Sequence, residues 1–302
     1  MPATIVMTGA GRGIGRAAAE RILRESPDTH LLLVARSPLT GVLGIGGRSV
    51  SSVTADLASL DSVRTAAVEI RTRLDHGDLP PLHGFVANAG VQYTNARTET
   101  PDGFEATFAV NVLANHLFLR LLQGCFARPA RIVITVSDTH FGDFRHNLGM
   151  VPGPVWDAPD ALARPCAFPD PDTTTAGRTA YSTSKLAAIH LVHEYARRLP
   201  AGIDVIAYNP GFVPGTDLAR DAGPFSRFAV RRILPALSLT PLATSRTTAG
   251  RHLADLALGA ISAPTGSYVD HARVARSSEE SYHPRREHEL WEVAERLVGS
   301  PG

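Results

Sequence analysis

Cysteine is scarce in this chain. Two thiols, Cys125 and Cys166, stand in 302 residues, too few and too far apart for a disulfide framework or a thiolate metal site. Net charge is scarce as well. At +1, with Lys and Arg scattered rather than blocked, the balance gives no reason to invoke nucleic acid or an anionic membrane surface. No apolar run approaches a membrane span, and the N-terminus enters an apolar strand pattern almost at once, leaving no room for a signal sequence. The expectation is a soluble, cytoplasmic protein with no membrane insertion. A chain of 302 residues, 44% hydrophobic, is long enough for one large α/β domain and short for two, so residues 1–302 are read as a single domain.

What is present alternates. Apolar periodicity and turn signals predict strands near Thr4 to Met7, Leu31 to Ala35, Ser49 to Thr54, Leu82 to Ala87, Arg131 to Val136, Ile203 to Tyr208 and Gly266 to Val269. Helices are predicted near Gly13 to Glu25, Ser59 to Leu74, Phe104 to Phe126, Tyr181 to Arg198, Ala243 to Leu258 and Arg286 to Leu297. Short apolar runs such as Leu31-Leu32-Leu33-Val34, separated by helices, indicate a parallel sheet covered on both faces. The predicted fold is a doubly wound (Rossmann) α/β domain with a seven-stranded parallel sheet. Two stretches break the rhythm: 141–178, rich in proline and aspartate, reads as a long insertion, and 212–241 as a substrate-side loop. The first carries Phe141, Phe144, Trp156 and Phe168, apolar material for a substrate lid, or for a surface excursion packed against the domain.

Two motifs carry chemistry. Thr8-Gly9-Ala10-Gly11-Arg12-Gly13-Ile14-Gly15 lies between the first strand and the first helix, where glycines let the backbone turn tightly and approach a pyrophosphate met by free N–H groups at the helix end. Tyr181 and Lys185, four residues apart, project from one helix face. A nearby ammonium favours a phenolate and lowers a tyrosine pKa towards the range of a general acid or base. Other signals follow in order: Asn88-Ala89-Gly90 after strand four, Asn111 in the next helix, Ser137 at the end of strand five, Asn209-Pro210-Gly211 after strand six.

With Thr-Gly-x-x-x-Gly-x-Gly and Tyr-x-x-x-Lys in this order, the chain resembles the short-chain dehydrogenase/reductase family from residue 4 to about 270. Val136-Ser137-Asp138-Thr139-His140, the long Ser-to-Tyr separation, the stretch Pro210 to Thr216 and Ser277-Ser278-Glu279-Glu280-Ser281 resemble the branch of retinol dehydrogenases and light-dependent protochlorophyllide reductases. Cys125 and Cys166 offer little basis for a cysteine-dependent light mechanism. The resemblance implies a catalytic set of Ser137, Tyr181, Lys185 and Asn111. Tyr181 would protonate the developing alkoxide, Ser137 hold the carbonyl oxygen, Lys185 lower the Tyr181 pKa and bind the nicotinamide ribose, and Asn111 anchor a water behind that lysine. It further implies cofactor contacts from Gly9, Gly11, Arg12, Gly13, Ile14, Gly15, Arg36, Asp56, Leu57, Asn88, Ala89, Gly90, Pro210, Gly211, Val213 and Thr216.

Cofactor choice is read electrostatically. An NAD site in this fold places an acid after strand two, where this chain has Ala35-Arg36. Arg36 with Arg12 suits a 2′-phosphate, so the cofactor is read as NADPH/NADP+. Asp56 resembles the residue that meets the adenine ring and equally fits a cap for the next helix. His140, Phe141 and Phe212 are candidate substrate contacts, His140 alternatively closing a loop. His190, His193 and Glu194 read as a solvated helix face, and Arg285-Arg286 with Glu287 and Glu289 as a solvated helix start; no metal is expected. Ser137, Asp138 and His140 lie in one short segment without a Gly-x-Ser-x-Gly elbow, against a hydrolase triad. The leading reading is an NADPH-dependent reductase of a ketone or aldehyde on a moderately large apolar molecule. Alcohol oxidation by the same residues and a non-catalytic NADPH-binding sensor are the alternatives. The partner is a small-molecule carbonyl or alcohol; relatives commonly form homo-oligomers through the helices containing Asn111 and Tyr181, a face the insertion could block.

Overall fold

The computed structural model describes residues 2–39, 49–147, 149, 151–214 and 244–299. Thr216, Ala243 and nearly all of the 212–241 loop lie outside the described residues.

Eight strands form one sheet: β1 (Ala3–Thr8), β2 (Thr29–Ala35), β3 (Val50–Thr54), β4 (Leu82–Ala87), β5 (Phe126–Thr135), β6 (Ile203–Asn209), β7 (Tyr268–Asp270) and β8 (Arg273–Ala275). Their order is β3-β2-β1-β4-β5-β6-β7-β8. All neighbours through β7 are parallel, and only β7 and β8 pair antiparallel. The predicted seven strands thus become eight, β8 being a three-residue edge strand returned by a turn at His271, which takes a φ of 58°. β1 lies between β2 and β4, so chain direction across the sheet reverses there and opens a crevice at the carboxyl ends of the strands.

One face of the sheet is covered by α2 (Leu60–Asp75), α4 (Ala114–Leu122) and α7 (Thr174–Arg198), whose apolar faces enclose Val6, Leu32, Phe85, Phe118 and Ile132. The opposite face packs α1 (Gly13–Glu25) and α8 (Arg246–Ala257) over Ile5, Met7, Leu31, Leu33 and Ile206. Residues alternate along β1 and β2 between these two cores, and both sides are apolar, which is why the strands read as continuous hydrophobic runs.

The helix predicted over Phe104 to Phe126 is divided. A short α3 (Ala106–Phe108) runs through a π-turn (Ala109–Leu113) into α4, and Phe126 already belongs to β5, paired with Leu82. Pro129 and the exposed Arg128 hide that strand start from an apolar pattern. α7 begins at Thr174, seven residues before Tyr181, because Thr173 accepts from the Ala176 N–H and caps it; Tyr181 therefore sits in the second turn, on a helix already formed.

The insertion includes α5 (Phe144–Asn147) and α6 (Pro159–Leu162) and is tied to the body. The Ala96 N–H donates to Pro171 (2.7 Å), the Cys166 N–H to Ala96 (2.8 Å) and the Val155 N–H to Thr183 Oγ1 (3.0 Å). Phe168 is buried, Trp156 stacks on His190 with centroids 4.6 Å apart, and only Phe144 projects to solvent. Two of the four aromatics offered for a lid are thus spent on packing.

The last helix, α9 (Pro284–Val298), lies across α7 and α4 and buries Leu290, Trp291, Ala294 and Val298. Its Glu295 accepts from Arg120 (2.6 Å) and lies 2.7 Å from His116 on α4; its Glu287 meets His193 and Arg197 on α7. This corrects two readings. His190, His193 and Glu194 are buried rather than solvated, and Glu287 is 2% exposed, because α9 and Trp156 cover that side of α7. The helices named for subunit pairing carry α9 across them within the chain.

Candidate active site

The glycine turn leaves β1 and enters α1 under tight steric limits. A Cβ at Gly15 would lie 2.0 Å from the Gly9 carbonyl oxygen, and one at Gly9 2.8 Å from the Ala89 nitrogen, so neither position admits a side chain. Gly13 differs: its φ is +56° and nothing stands within 4 Å of where a Cβ would be. The opening faces the start of a 13-residue helix whose N-cap, Arg12, makes no side-chain cap bond and whose first turn has no acid. Backbone N–H groups and the positive helix end are thereby left for an anion, and the cradle fits a dinucleotide diphosphate.

Asn88 locks this turn to the sheet. Its Nδ2 donates to Gly9 O (3.2 Å), its Oδ1 accepts from Thr135 Oγ1 (3.4 Å), and the N–H groups of Asn88 and Ala89 both donate to Thr8 Oγ1 (3.1 and 3.0 Å). Ile14 and Leu57 are partly buried against the two cores. Asp56 is exposed and accepts from the Ala58 N–H (3.1 Å), while the helix after it is capped by Ser59, which accepts from Ser62 N–H. The cap reading thus passes from Asp56 to Ser59. Arg12 and Arg36 are both exposed at the mouths of the turns after β1 and β2.

Lys185 and Tyr181 come down from α7 onto the end of β5. Lys185 Nζ donates to Thr135 O (3.0 Å) and lies 5.5 Å from the Tyr181 ring centroid. Gly90 touches the same group: a Cβ there would be 3.4 Å from Lys185 Nζ and 3.3 Å from Asn111 Oδ1. Asn111, in the π-turn, braces the segment, its amide bonding both the N–H and the carbonyl of Val91 (2.9 and 3.0 Å) and Ser184 Oγ (2.9 Å). Its own carbonyl accepts from Asn115 Nδ2 (3.1 Å). Pro210, Gly211 and Val213 follow β6, and the Gly211 N–H donates to Asn209 Oδ1 (3.1 Å).

Electrostatics correct one expectation. Lys185 does not set the Tyr181 pKa in the protein alone. Burial pushes the phenol well above its usual value, the Ser137 hydroxyl works against that shift, and Asp138 adds to it. Burial also brings the Lys185 ammonium down to about 8. Desolvation disfavours the charged form of both groups, which suits Tyr181 as a proton donor and leaves Lys185 a cation that gains from an added anionic partner.

The structure redirects the substrate candidates. His140 is 1% exposed; its Nδ1–H donates to Ser137 O (2.6 Å) and its Nε2 accepts from the Ser278 N–H (3.1 Å). Burial holds it neutral, at about 4. Both ring nitrogens are committed, so it clasps the serine turn to the Ser277 to Ser281 segment. Phe141 stacks on His146 at 3.7 Å, and Phe212 accepts the Thr244 N–H through its carbonyl (2.8 Å). Sequence reading weighed Asp138 only for a hydrolase triad and not as a partner of Ser137, whose hydroxyl it accepts from (3.3 Å). A carboxylate directly after a strand-end serine was the available signal.

Comparison with known proteins follows the same residues. The short chain dehydrogenase family model matches residues 3–146. A protein described as the daunorubicin C-13 ketoreductase DnrU of Streptomyces sp. (strain C5) is 33% identical over 87% of this chain and 86% of its own. Protochlorophyllide reductase A of Hordeum vulgare is 29% identical over 98% of this chain and 80% of its own. Among solved structures, a blue fluorescent protein from a metagenomic library, in complex with NADPH, aligns with a TM-score of 0.62 at 24% identity, covering 88% of this chain and 95% of that one. No helix among the described residues is long and apolar enough to cross a membrane. The glycine turn, Tyr181 and Lys185 meet at the crevice that the strand order opens, and the likeness to DnrU covers most of both chains: the chain belongs to the short-chain dehydrogenase/reductase family.

Proposed function

We propose that this oxidoreductase uses NADPH to reduce a ketone or aldehyde on a moderately large apolar molecule. The observation that carries the reading is the convergence of Ser137, Tyr181 and Lys185 at the carboxyl ends of β4 and β5, beside the turn that fits a diphosphate. Support for NADPH comes from Arg36 at the position where an acid would select NAD, and from Arg12 in the turn itself. Support for carbonyl reduction comes from relatives described as a C-13 ketoreductase and as protochlorophyllide reductases.

When bound, the nicotinamide supplies hydride to the carbonyl carbon. The residues of this chain do the rest. Tyr181, kept protonated by burial, donates to the oxygen as charge develops on it, and the Ser137 hydroxyl donates a second hydrogen bond there. Lys185, with one protein acceptor among the described residues, Thr135 O, has donors left for a ribose hydroxyl.

The test is a cofactor-oxidation assay across carbonyl compounds graded by size and polarity, run with NADPH and with NADH. The proposal expects NADPH turnover that rises with apolar size. A folded protein that binds NADPH and turns over no carbonyl of the panel would refute it.

A further inference from the structure

Ser137 has one hydroxyl proton, and the structure gives it away. The Ser137 oxygen accepts from the Thr139 N–H (3.3 Å), and its hydroxyl has Asp138 Oδ1 as an acceptor at 3.3 Å beside its hydrogen bond with Tyr181. Asp138 is itself fixed: its N–H donates to Asn209 Oδ1 (3.2 Å), and Asn209 Nδ2 donates to Asp270 Oδ1 (2.9 Å), which also accepts from His271 Nδ1 (2.9 Å). Asn209 is 2% exposed at the end of β6. The Asp138 main chain is thus anchored from the neighbouring strand, and its carboxyl lies beside the Ser137 hydroxyl. In the reaction proposed above, however, the same proton is needed by the substrate oxygen.

We propose that Asp138 is a positioning residue that competes with the substrate oxygen for the Ser137 proton, so that its protonation state sets how well the site holds a carbonyl. The inference rests on the carbonyl-reductase reading. An ionised Asp138 is a stronger acceptor than a ketone oxygen and keeps the proton. A protonated Asp138 no longer claims it, and can itself donate to the Ser137 oxygen, turning the serine hydroxyl towards the substrate.

The groups facing Asp138 allow this exchange near neutral pH. Burial raises its carboxyl to about 6; the Ser137 hydrogen bond opposes this, Asp270 on β7 adds to it, and His146 on α5 and His271 oppose it. Tyr181 on α7 and Tyr268 on β7 face it as well, both held protonated by burial. Neither phenol titrates near that pH. For a carboxyl raised above its usual value, the protonated form prevails below about 6, and the carbonyl is held best there.

The experiment measures KM for an accepted carbonyl, and separately KM for NADPH, between about pH 5 and about pH 8. In the native protein the carbonyl KM rises about threefold to tenfold as pH passes through about 6, the scale of one hydrogen bond, while the NADPH KM does not follow. Asp138→Asn and Asp138→Ala, which cannot titrate, give a level carbonyl KM. His271→Gln and His146→Gln keep the inflection, since they only face the carboxylate. A level profile in the native enzyme overturns the role of Asp138 while leaving carbonyl reduction standing, and needs no variant to fold. An inflection that persists in a folded Asp138 variant overturns it equally. If the native protein binds NADPH and reduces nothing, the reductase reading fails, and the role of Asp138 with it.

Discussion

Lys185→Met should make the protein more stable and nearly inactive. The ammonium is 4% exposed, has one protein acceptor among the described residues, and falls from the usual 10.5 to about 8 through burial alone. That drop corresponds to a destabilisation of about 3 kcal/mol for the charged form. The sign follows from linkage: a folded-state pKa below the unfolded one means the unfolded chain binds the proton more tightly. The penalty is therefore complete below about pH 8 and is relieved as pH rises from there towards 10.5. Methionine removes the charge and keeps most of the volume, and losing the bond to Thr135 O gives back about 1 kcal/mol. The net gain is about 2 kcal/mol at pH 7. With an unfolding entropy of about 2.1 cal/mol/K per residue, about 0.6 kcal/mol/K for the 302-residue chain, Tm rises by about 3 °C.

Activity moves the other way. Losing the ammonium removes the donors left for the ribose hydroxyl and with them the positioning of the cofactor beside Tyr181, so turnover falls about a hundredfold or more. Thermal unfolding without cofactor and steady-state turnover are the two readouts. Because Lys185 is the only lysine in the chain, isotopically labelled lysine reports its ionisation as a single signal. A Tm that falls at pH 7, or a lysine signal that titrates near its usual value, would refute the buried-cation argument.

Arg36→Asp should weaken NADPH binding and favour NADH, by removing a charge-assisted partner of the 2′-phosphate and adding repulsion; dissociation constants for both cofactors decide it, and an unchanged preference would mean that Arg36 points elsewhere. Glu287 is held down at about 2: burial opposes this, but the hydrogen bonds from His193 and Arg197 prevail. Its contribution to stability should therefore be present above the usual carboxylate range and vanish as pH falls towards 2. Glu287→Gln should lower the Tm at neutral pH and flatten that acid limb, and a limb of unchanged steepness would count against the α9 clamp.

The glycine turn after β1 and the strands with continuous apolar runs were legible because their local chemistry is decisive. Gly15 is glycine for a steric reason that any sequence with this turn must meet, and β1, β2, β4 and β6 are buried on both faces. What escaped was set by contacts distant in sequence. The π-turn at Asn111 has no local signature, since it is held by Val91 and Ser184. His190, His193 and Glu194 looked solvated because nothing near them announces α9, nearly a hundred residues later, as their cover. β8 is three residues long and exposed, below the length at which alternation can be read. His140 and Asp138 were seen as residues but not as partners: His140 is fixed by Ser278, and Asp138 by Asn209.

The central claim is that Tyr181 protonates a carbonyl oxygen in a reaction driven by NADPH, and Tyr181→Phe tests it most directly. The variant keeps the ring and loses one hydroxyl. The account predicts NADPH affinity close to that of the native protein and turnover lower by about a hundredfold or more on every accepted carbonyl, the scale of losing a positioned general acid. Turnover retained in the phenylalanine variant at native NADPH affinity would contradict it.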